Sequence, residues 1–464
     1  MRTRPIHDSM RPSLLAALAL LLAIPAGAQD RRTVTEPVVP PTCSTLTASL
    51  SAVGDSTVAE ADEGRLDTGR IQAAIDRCDG GKAVLLTPGA GDHRAFLIGP
   101  ITLRAGVTLV IGARALVLAS RDPRLYDIEA GRCGTVDKKG KGCRALITAD
   151  RIKGAGVMGP GTLEGRGWAK LLGRSESWWD LAQQAKAEKL NQSCPRLMQL
   201  TRADDFTLYQ ITIRNSPNFH VVYDRGNGFT AWGVVIDTPD PRARNTDGID
   251  PASATNVTIT HSFINTGDDG IAIKAGGTGP STNMTISHNH FYRGHGMSIG
   301  SETNGGASAI RVFDLSIDGA DNGLRIKSNA SRGGLVRDIS YSDVCLRRVK
   351  HPIEMDTHYT ASEETEGNLV PEFRDIRLSN VRVLEGGKVI LEGYDAARPL
   401  RMTWDNVTFD DPAKYTVSAS HLELVQGPGP VNLIVKGDDV RVSGKASTAP
   451  ANACEGKVLP FPAR

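Results

Sequence analysis

A chain of 464 residues with 40% hydrophobic residues and a mean hydropathy of -0.22 reads as a soluble globular protein of one large domain or two to three ordinary ones. Its formal net charge is only +2 at pH 7, and no basic run with interleaved aromatics occurs, which excludes nucleic acid as the expected partner. Glycine, at 49 residues, favours many turns over long helices.

Arg2, Arg4 and Arg11 precede an apolar run from Leu14 to Ile24, followed by Ala26-Gly27-Ala28. This order predicts a secretory signal peptide over 1–28, cut after Ala28; a start at Met10 would shorten only its charged region. The run is too short for a membrane span and no later candidate exists, so no membrane partner is expected. Losing 1–28 removes three arginines and one aspartate, leaving a formally neutral chain. Export makes disulfides the first reading of the seven cysteines. Cys133 and Cys143 bracket a Gly/Lys-rich loop and are expected to pair, as are Cys43 and Cys78 across the N-terminal region. The odd count leaves at least one thiol free or intermolecular, and no pair has the spacing of a zinc site.

Residues 29–65 are polar and rich in Pro, Ser and Thr, which predicts an extended lead-in. The segment 67-DTGRIQAAIDRC-78 predicts a helix capped by Asp67 or Thr68, with Ile71, Ala74, Ile75 and Cys78 on one face. One helix ahead of a β-rich body reads as an end cap. Beyond it, β-branched segments begin at Phe206, Phe229, Val257, Met284, Ile310 and Val336, then at Phe373 and Leu400. The middle steps are about 26–28 residues, the size of one solenoid coil. With almost no helix between strands, the expected fold class is all-β: a right-handed parallel β-helix with a short N-terminal capping helix. A sandwich or propeller does not explain that period. No linker interrupts 80–445, so one domain is expected over 66–445 and a tail over 446–464. Residues 166–196, with Trp178-Trp179 and a polar helical stretch, interrupt the repeat as a side loop of the kind that shapes a groove.

Within the repeat, 267-GDDGIAIK-274 places Asp268 and Asp269 at the edge of an apolar strand. Asp268 and His295 are separated by the same step as Val257 and Met284, so coils stacked ~4.8 Å apart should set His295 beside the acids. Asp247 lies about one coil earlier, and Arg325 and Lys327 about one coil later. The acidic pairs at Asp204-Asp205 and in 437-GDD-439 lack such neighbours and read as solvated turns. Three clustered carboxylates cannot all ionise freely, so repulsion raises at least one pKa. Separate acid and base roles are what glycoside hydrolysis requires. Arg325 and Lys327, two residues apart on a strand, face one side and suit an anionic substrate. Lys274 is expected at the solvent or groove edge, and His220 in a structural role. Asn191, Asn256, Asn283, Asn329 and Asn406, though they begin N-x-S/T triplets, are expected to stack within the coils.

The series 245-NTDGIDP-251, 267-GDDGIAIK-274, 294-GHGMSIGSE-302 and 324-LRIKS-328 resembles the polygalacturonases of glycoside hydrolase family 28, bacterial ones in particular. The stretches 67-DTGRIQAAIDRC-78, 215-NSPNFH-220 and Pro195-Arg196-Leu197 add to a likeness running from roughly residue 45 to 425. The resemblance implies that Asp268 is the general acid, that Asp247 and Asp269 hold and deprotonate the attacking water, and that His295 tunes the acid. It implies Arg325 and Lys327 as ligands of galacturonate carboxylates, with Asn245 and Tyr359 also on the substrate. It further implies inversion by single displacement, no metal or organic cofactor, and a monomer acting on an acidic polysaccharide outside the cell. One position departs: the residue after the acidic pair is often cysteine in the family and is Gly270 here. The absence of an obvious large insertion to close the groove favours endo over exo action. A calcium-dependent pectate lyase and a non-catalytic glycan-binding β-helix remain the alternative readings.

Overall fold

One apolar side chain per coil forms the spine of the protein. In the computed structural model, which describes residues 30–360, 365–448, 454 and 456–463, Phe206 lies opposite Phe229. The column continues through Val257, Met284, Ile310, Ile339, Ile376 and Met402, strand to parallel strand. All eight side chains are buried. Each contributes about 1.5–3 kcal/mol by leaving water, and a one-residue slip would turn the column outward, so register is tightly set. Successive walls of this kind join 31 strands into one nearly all-parallel sheet. Parallel crossovers of L-polypeptide are right-handed, and the fold is the expected right-handed parallel β-helix. The signal-peptide reading of 1–28 lies outside the described residues, as does part of the tail.

The repeat breaks phase against the sequence reading after Ile310, and again after Phe373, where Ile376 continues to Met402 and leaves Leu400 out of step. Ile310 is followed one coil later by Ile339, not Val336, which lies opposite Ala307. Asp338 between them has φ +57°, matching φ +55° at Ala309. The chain turns a corner there, so residues on both sides of it point inward, and apolar pattern alone cannot say which one continues the column. A second corner is kept by Gln210, Gly233, His261, His288, Asp314, Asp343, Asn380 and Asn406, all left-handed. Small polar side chains tolerate that conformation by bonding locally. Asn406 donates to Asn380 at 2.9 Å and Asn380 to Asp343 at 3.1 Å, while Asn256 donates to Asn227 at 2.8 Å. Asn283 similarly reaches Thr255. Asn191 and Asn329 instead hold loops, through the carbonyls of Lys138 and Tyr359.

The cap is helix α1 (Thr68–Arg77), whose Ile71, Ala74 and Ile75 are buried together with Cys78. Asp67 occupies the capping position without a side-chain capping bond. Its carboxylate accepts from Leu97 N and Arg70 Nε instead, tying the helix to the first coils. Cys43–Cys78 and Cys133–Cys143 pair as expected; a third disulfide, Cys345–Cys454, joins the C-terminal segment to the body, and Cys194 is the free thiol. The insertion carries helix α2 (Trp178–Glu188), started by a reciprocal Ser177–Asp180 capping box and anchored by buried Trp178 and Trp179. A two-stranded antiparallel link, Val136–Asp137 with Asn191–Gln192, ties it to the Cys133–Cys143 loop.

One wall forms the floor of the groove. It is built from β1 (Ile147–Asp150), β2 (Met198–Thr201), β3 (Val221–Asp224), β4 (Ile249–Ala252) and β5 (Ile271–Ile273). It continues through β6 (Met297–Gly300), β7 (Asn322–Lys327), β8 (His351–Asp356) and β9 (Gly387–Glu392).

Candidate active site

Backbone pairing, not side-chain attraction, brings the acids together. Ile249 lies opposite Ile271, and Ile271 opposite Met297. Each is preceded by a glycine and then a polar residue: Asp247, Asp269 and His295. Gly248 N donates to Asp269 O and His295 N to Asp268 O, both at 2.9 Å. His295 therefore shares its register with Asp269, one residue away from the position that sequence spacing assigns. Its ring still reaches both acids, with Nδ1 2.9 Å from Asp268 Oδ1 and 4.0 Å from Asp269 Oδ1. The glycines are required by space. A Cβ on Gly248 would lie 2.4 Å from Gly270 O, and one on Gly296 2.3 Å from Asn322 O. Gly270 is less confined, at 3.1 Å from Gly296 O and from Phe291, so its departure from the family's common cysteine relieves a tight contact.

Of the acids, Asp268 is the one open to the groove: its side chain is 22% exposed against 2% for Asp269 and 5% for Asp247. Asp269 is enclosed by Lys327 Nζ at 2.8 Å, Arg325 Nη1 at 3.7 Å and Ser298 Oγ, which donates to it at 2.6 Å. Arg325 Nε donates to Glu354 at 3.0 Å, whereas its buried Nη1 has no hydrogen-bond partner among the described residues. The Tyr359 ring lies 5.1 Å from the Arg325 guanidinium and 5.3 Å from Lys327 Nζ, a cation–π arrangement that orients both cations. Asn245 sits in the exposed turn before Asp247, with φ +51°.

Lys274, expected at the solvent or groove edge, keeps its side chain 21% exposed but is turned toward the acids. It reaches between Asp247 at 3.5 Å and buried Asp250 at 3.7 Å. His220 is structural, as expected. Its Nδ1 donates to Asp247 O and its Nε2 accepts from Thr238 Oγ1, and burial lowers its pKa to about 4, keeping it neutral.

Repulsion among the acids does raise a pKa, but at Asp247. Burial first, then Asp250 and Asp268, push it well above the usual range against the pull of Lys274. Burial likewise lifts Asp250 to about 7. Burial also disfavours the Asp268 charge, yet the His295 hydrogen bond and charge, with Lys327 and Lys274, outweigh it and hold that carboxyl low. Asp269 is low as well, burial being outweighed chiefly by Lys327. His295 titrates above its ordinary value because the Asp268 bond overcomes burial. These directions favour the protonated forms of Asp247 and His295 and the ionised form of Asp268. Asp268, Asp269 and His295 also place ligand atoms within 4.8 Å of one another, as do Asp356, His358 and Glu392. In the first group, Lys327 and Arg325 already face the acids, and their charge disfavours a divalent ion.

Residues 108–425 match the family model for glycosyl hydrolases family 28. The chain is 44% identical over 406 residues to an endo-polygalacturonase of Pectobacterium parmentieri, an alignment covering 87% of this chain and 96% of that one. It is 39% identical to a polygalacturonase of Ralstonia nicotianae, covering 98% of each. The chain belongs to glycosyl hydrolases family 28. The solved polygalacturonase of Erwinia carotovora ssp. carotovora is similar to it at 43% identity and a TM-score of 0.77, over 85% of this chain and 100% of that one.

Membership makes this protein a glycoside hydrolase and separates its acidic pairs. Asp204 accepts from Asn227 N and Asp205 faces Lys153 at 3.2 Å, while Asp439 pairs with His421 and Arg441. These are outer-turn contacts far from the family-28 cluster in sequence, as the missing neighbours implied. Three residues of the cluster escaped sequence reasoning: Asp250 and Ser298, which lie inside the quoted motifs, and Glu354, which lies outside them. For Asp250 and Ser298 the available signal was the recurring tripeptide of polar residue, glycine and apolar residue, which fixes the register and hence their neighbours.

Proposed function

We propose that this chain hydrolyses α-1,4-galacturonosyl linkages within polygalacturonate, by single displacement with inversion. The observation that carries the reading is the Asp268–His295 pair at the groove, set beside Arg325 and Lys327, with the Arg325 Nη1 donor making no hydrogen bond among the described residues. Asp268 is the general acid, and its proton comes from the shared Asp268–His295 bond. When a substrate carboxylate engages Lys327 and Arg325, it withdraws the cations that hold Asp268 and Asp269 ionised. The proton then moves from His295 to Asp268 and on to the glycosidic oxygen, as that oxygen's bond to the anomeric carbon breaks. Water held by Asp247 and Asp269 attacks the opposite face, and Asp269, freed from Lys327, takes its proton. Tyr359 and Asn245 line the groove. The Glu354 carboxylate keeps the Arg325 fork aligned. The protein acts as a secreted monomer, and the three disulfides fit an oxidising compartment.

The test is incubation with polygalacturonate in the presence of EDTA, reading reducing ends and ultraviolet absorbance together. Hydrolysis gives reducing ends without absorbance, and an early spread of oligomer sizes marks endo action. Unsaturated, absorbing ends lost on chelation would assign a lyase, and no new ends a binding module. Asp268→Asn should bind oligogalacturonate without turning it over; retained turnover removes Asp268 as the acid.

A further inference from the structure

The carboxylates around the catalytic coils are each held by a cation of a nearby coil. Asp247 and Asp250 face Lys274, Asp268 faces His295, Asp269 faces Lys327 and Glu354 faces Arg325. Asp356 on β8 and Glu392 on β9 break the pattern. They lie opposite each other on neighbouring coils, and Lys327 lies opposite Asp356 on the other side. Lys327 is engaged elsewhere: its Nζ reaches back to Asp269 at 2.8 Å. Arg398, stacked on the Tyr394 ring at 5.1 Å, is bound by Asp395. Asp356 and Glu392 thus have no ion-pair partner among the described residues. Two like charges directly opposite in a sheet, ~4.8 Å apart, repel and destabilise it.

An imidazole completes the arrangement. His358, two residues after Asp356, places a ring nitrogen within 4.8 Å of an oxygen of each carboxylate. The ring is held from two directions. It stacks on Tyr394, with centroids 5.0 Å apart and planes 4° apart, and its Nδ1 lies 3.2 Å from Thr357 Oγ1. Thr357 Oγ1 in turn donates to Glu392 O at 3.1 Å, which joins the segment after β8 to β9. Each carboxylate has one oxygen committed, Asp356 Oδ1 to His358 N and Glu392 Oε1 to Ser418 Oγ, both at 2.7 Å. The second oxygen of each accepts no hydrogen bond from a described residue. A cavity of about 250 Å³, with Thr357, His358 and Tyr394 in its wall, opens against the ring and leaves room for water.

We propose that Asp356, His358 and Glu392 form a divalent transition-metal site, of the class that takes Zn²⁺ or Mn²⁺, three to four coils from β5. One nitrogen and two carboxylate oxygens suit such an ion, whereas Ca²⁺ takes about six to eight oxygens. Metal–ligand bonds of about 2.0–2.2 Å hold ligand atoms no more than ~4.4 Å apart, so small side-chain rotations close the site. Water from the cavity fills the remaining positions. The ion supplies the positive charge that Lys327 gives to Asp269 instead, and it cross-links β8 to β9. Its role is to fix this end of the groove wall. No bond-breaking step passes through it, and the assignment stands apart from the polygalacturonate reading.

Calorimetric titration of the full chain, first freed of metal by chelation and dialysis, with ZnCl₂ and MnCl₂ tests the site. One tight ion should bind per chain, about ten-fold or more tighter than Ca²⁺ or Mg²⁺, and should raise the melting temperature. His358→Ala should weaken binding about ten-fold or more, and Asp356→Asn with Glu392→Gln should abolish it. Asparagine and glutamine keep the acceptors that His358 N and Ser418 Oγ use. The metal-free double variant should therefore melt no lower than the metal-free parent, since the repulsion is gone. No saturable ion, an ion retained by the double variant, or tighter binding of Ca²⁺ than of Zn²⁺ and Mn²⁺ overturns the site. A metal-free double variant that melts well below the parent removes the unbalanced acidic pair on which the site rests, and overturns it as well.

Discussion

Replacing Lys274 with methionine isolates one electrostatic element while nearly keeping side-chain length. Lys274 lies 3.5 Å from Asp247 and 3.7 Å from Asp250, both buried. At an effective dielectric constant of about 20, each attraction is about 4–5 kcal/mol when the carboxyl is ionised. Removing one partner of a buried pair commonly costs about 3–5 kcal/mol, because the remaining charge is left uncompensated. The carboxyls can escape that cost by taking up protons, and both titrate high already, Asp250 at about 7. A carboxyl raised on folding binds more protons in the folded state than in the unfolded one. Its stability contribution is therefore intact below the unfolded value of about 3.9 and is lost as pH rises through the folded value. Methionine at 274 moves those folded values higher still, so the loss should deepen with pH. Urea denaturation followed by tryptophan fluorescence should show a deficit of about 3–5 kcal/mol at pH 8 and only a small one at pH 5. An equal deficit at both pH values would refute the electrostatic argument and leave Lys274 as a packing partner of Phe219.

His295→Ala should lower kcat by about 10²-fold or more, and move the basic limb of the kcat–pH profile downward, since the raised histidine titration that keeps the shared proton in place is gone; an unmoved limb assigns that titration elsewhere. Glu354→Gln removes the carboxylate that Arg325 Nε binds at 3.0 Å; KM should rise about ten-fold with a smaller change in kcat, the signature of lost substrate alignment. Cys454→Ser opens a disulfide across 109 residues, against 10 for Cys133–Cys143. Chain entropy makes the first loss larger, about 4–5 kcal/mol against about 2–3 for Cys143→Ser, and thermal melts of the two variants should rank in that order.

The fold was legible because a solenoid repeats one physical demand. Each coil must bury a short β-branched segment on its predecessor, so Phe229, Val257, Met284 and Ile310 recur at nearly the coil length and align as read. The step to Ile339 escaped because coil length is free to vary at corners, where backbone conformation rather than hydrophobicity decides. Asp338 is a polar residue in a left-handed turn, and nothing in its apolar neighbours reports that. The Cys345–Cys454 bridge was hidden for a related reason: long-range closure of a tail depends on where the tail lies, which no local period encodes.

The site was legible in its members and illegible in their pairing. Asp247, Asp268, Asp269, His295, Arg325 and Lys327 do converge, but an average period cannot tell whether His295 is level with Asp268 or with Asp269. The glycines can. A backbone that passes within reach of the next coil's carbonyl tolerates no Cβ, so Gly248 and Gly296 mark the level at which coils touch, and the residue before each must stand at the groove's edge. Asp247-Gly248-Ile249, His295-Gly296-Met297 and Asn322-Gly323-Leu324 are three statements of that one constraint, and Asp269-Gly270-Ile271 shares their register with more room at its glycine. Counting outward from them puts Asp250, Ser298 and Arg325 two steps further along the strands, and Lys274 and Lys327 two beyond those. Because strand side chains alternate, both rows face the same way. The charges that enclose Asp269 and compensate Asp247 are thus fixed by the same glycines that hold the coils together, and the chemistry of the groove follows from its register.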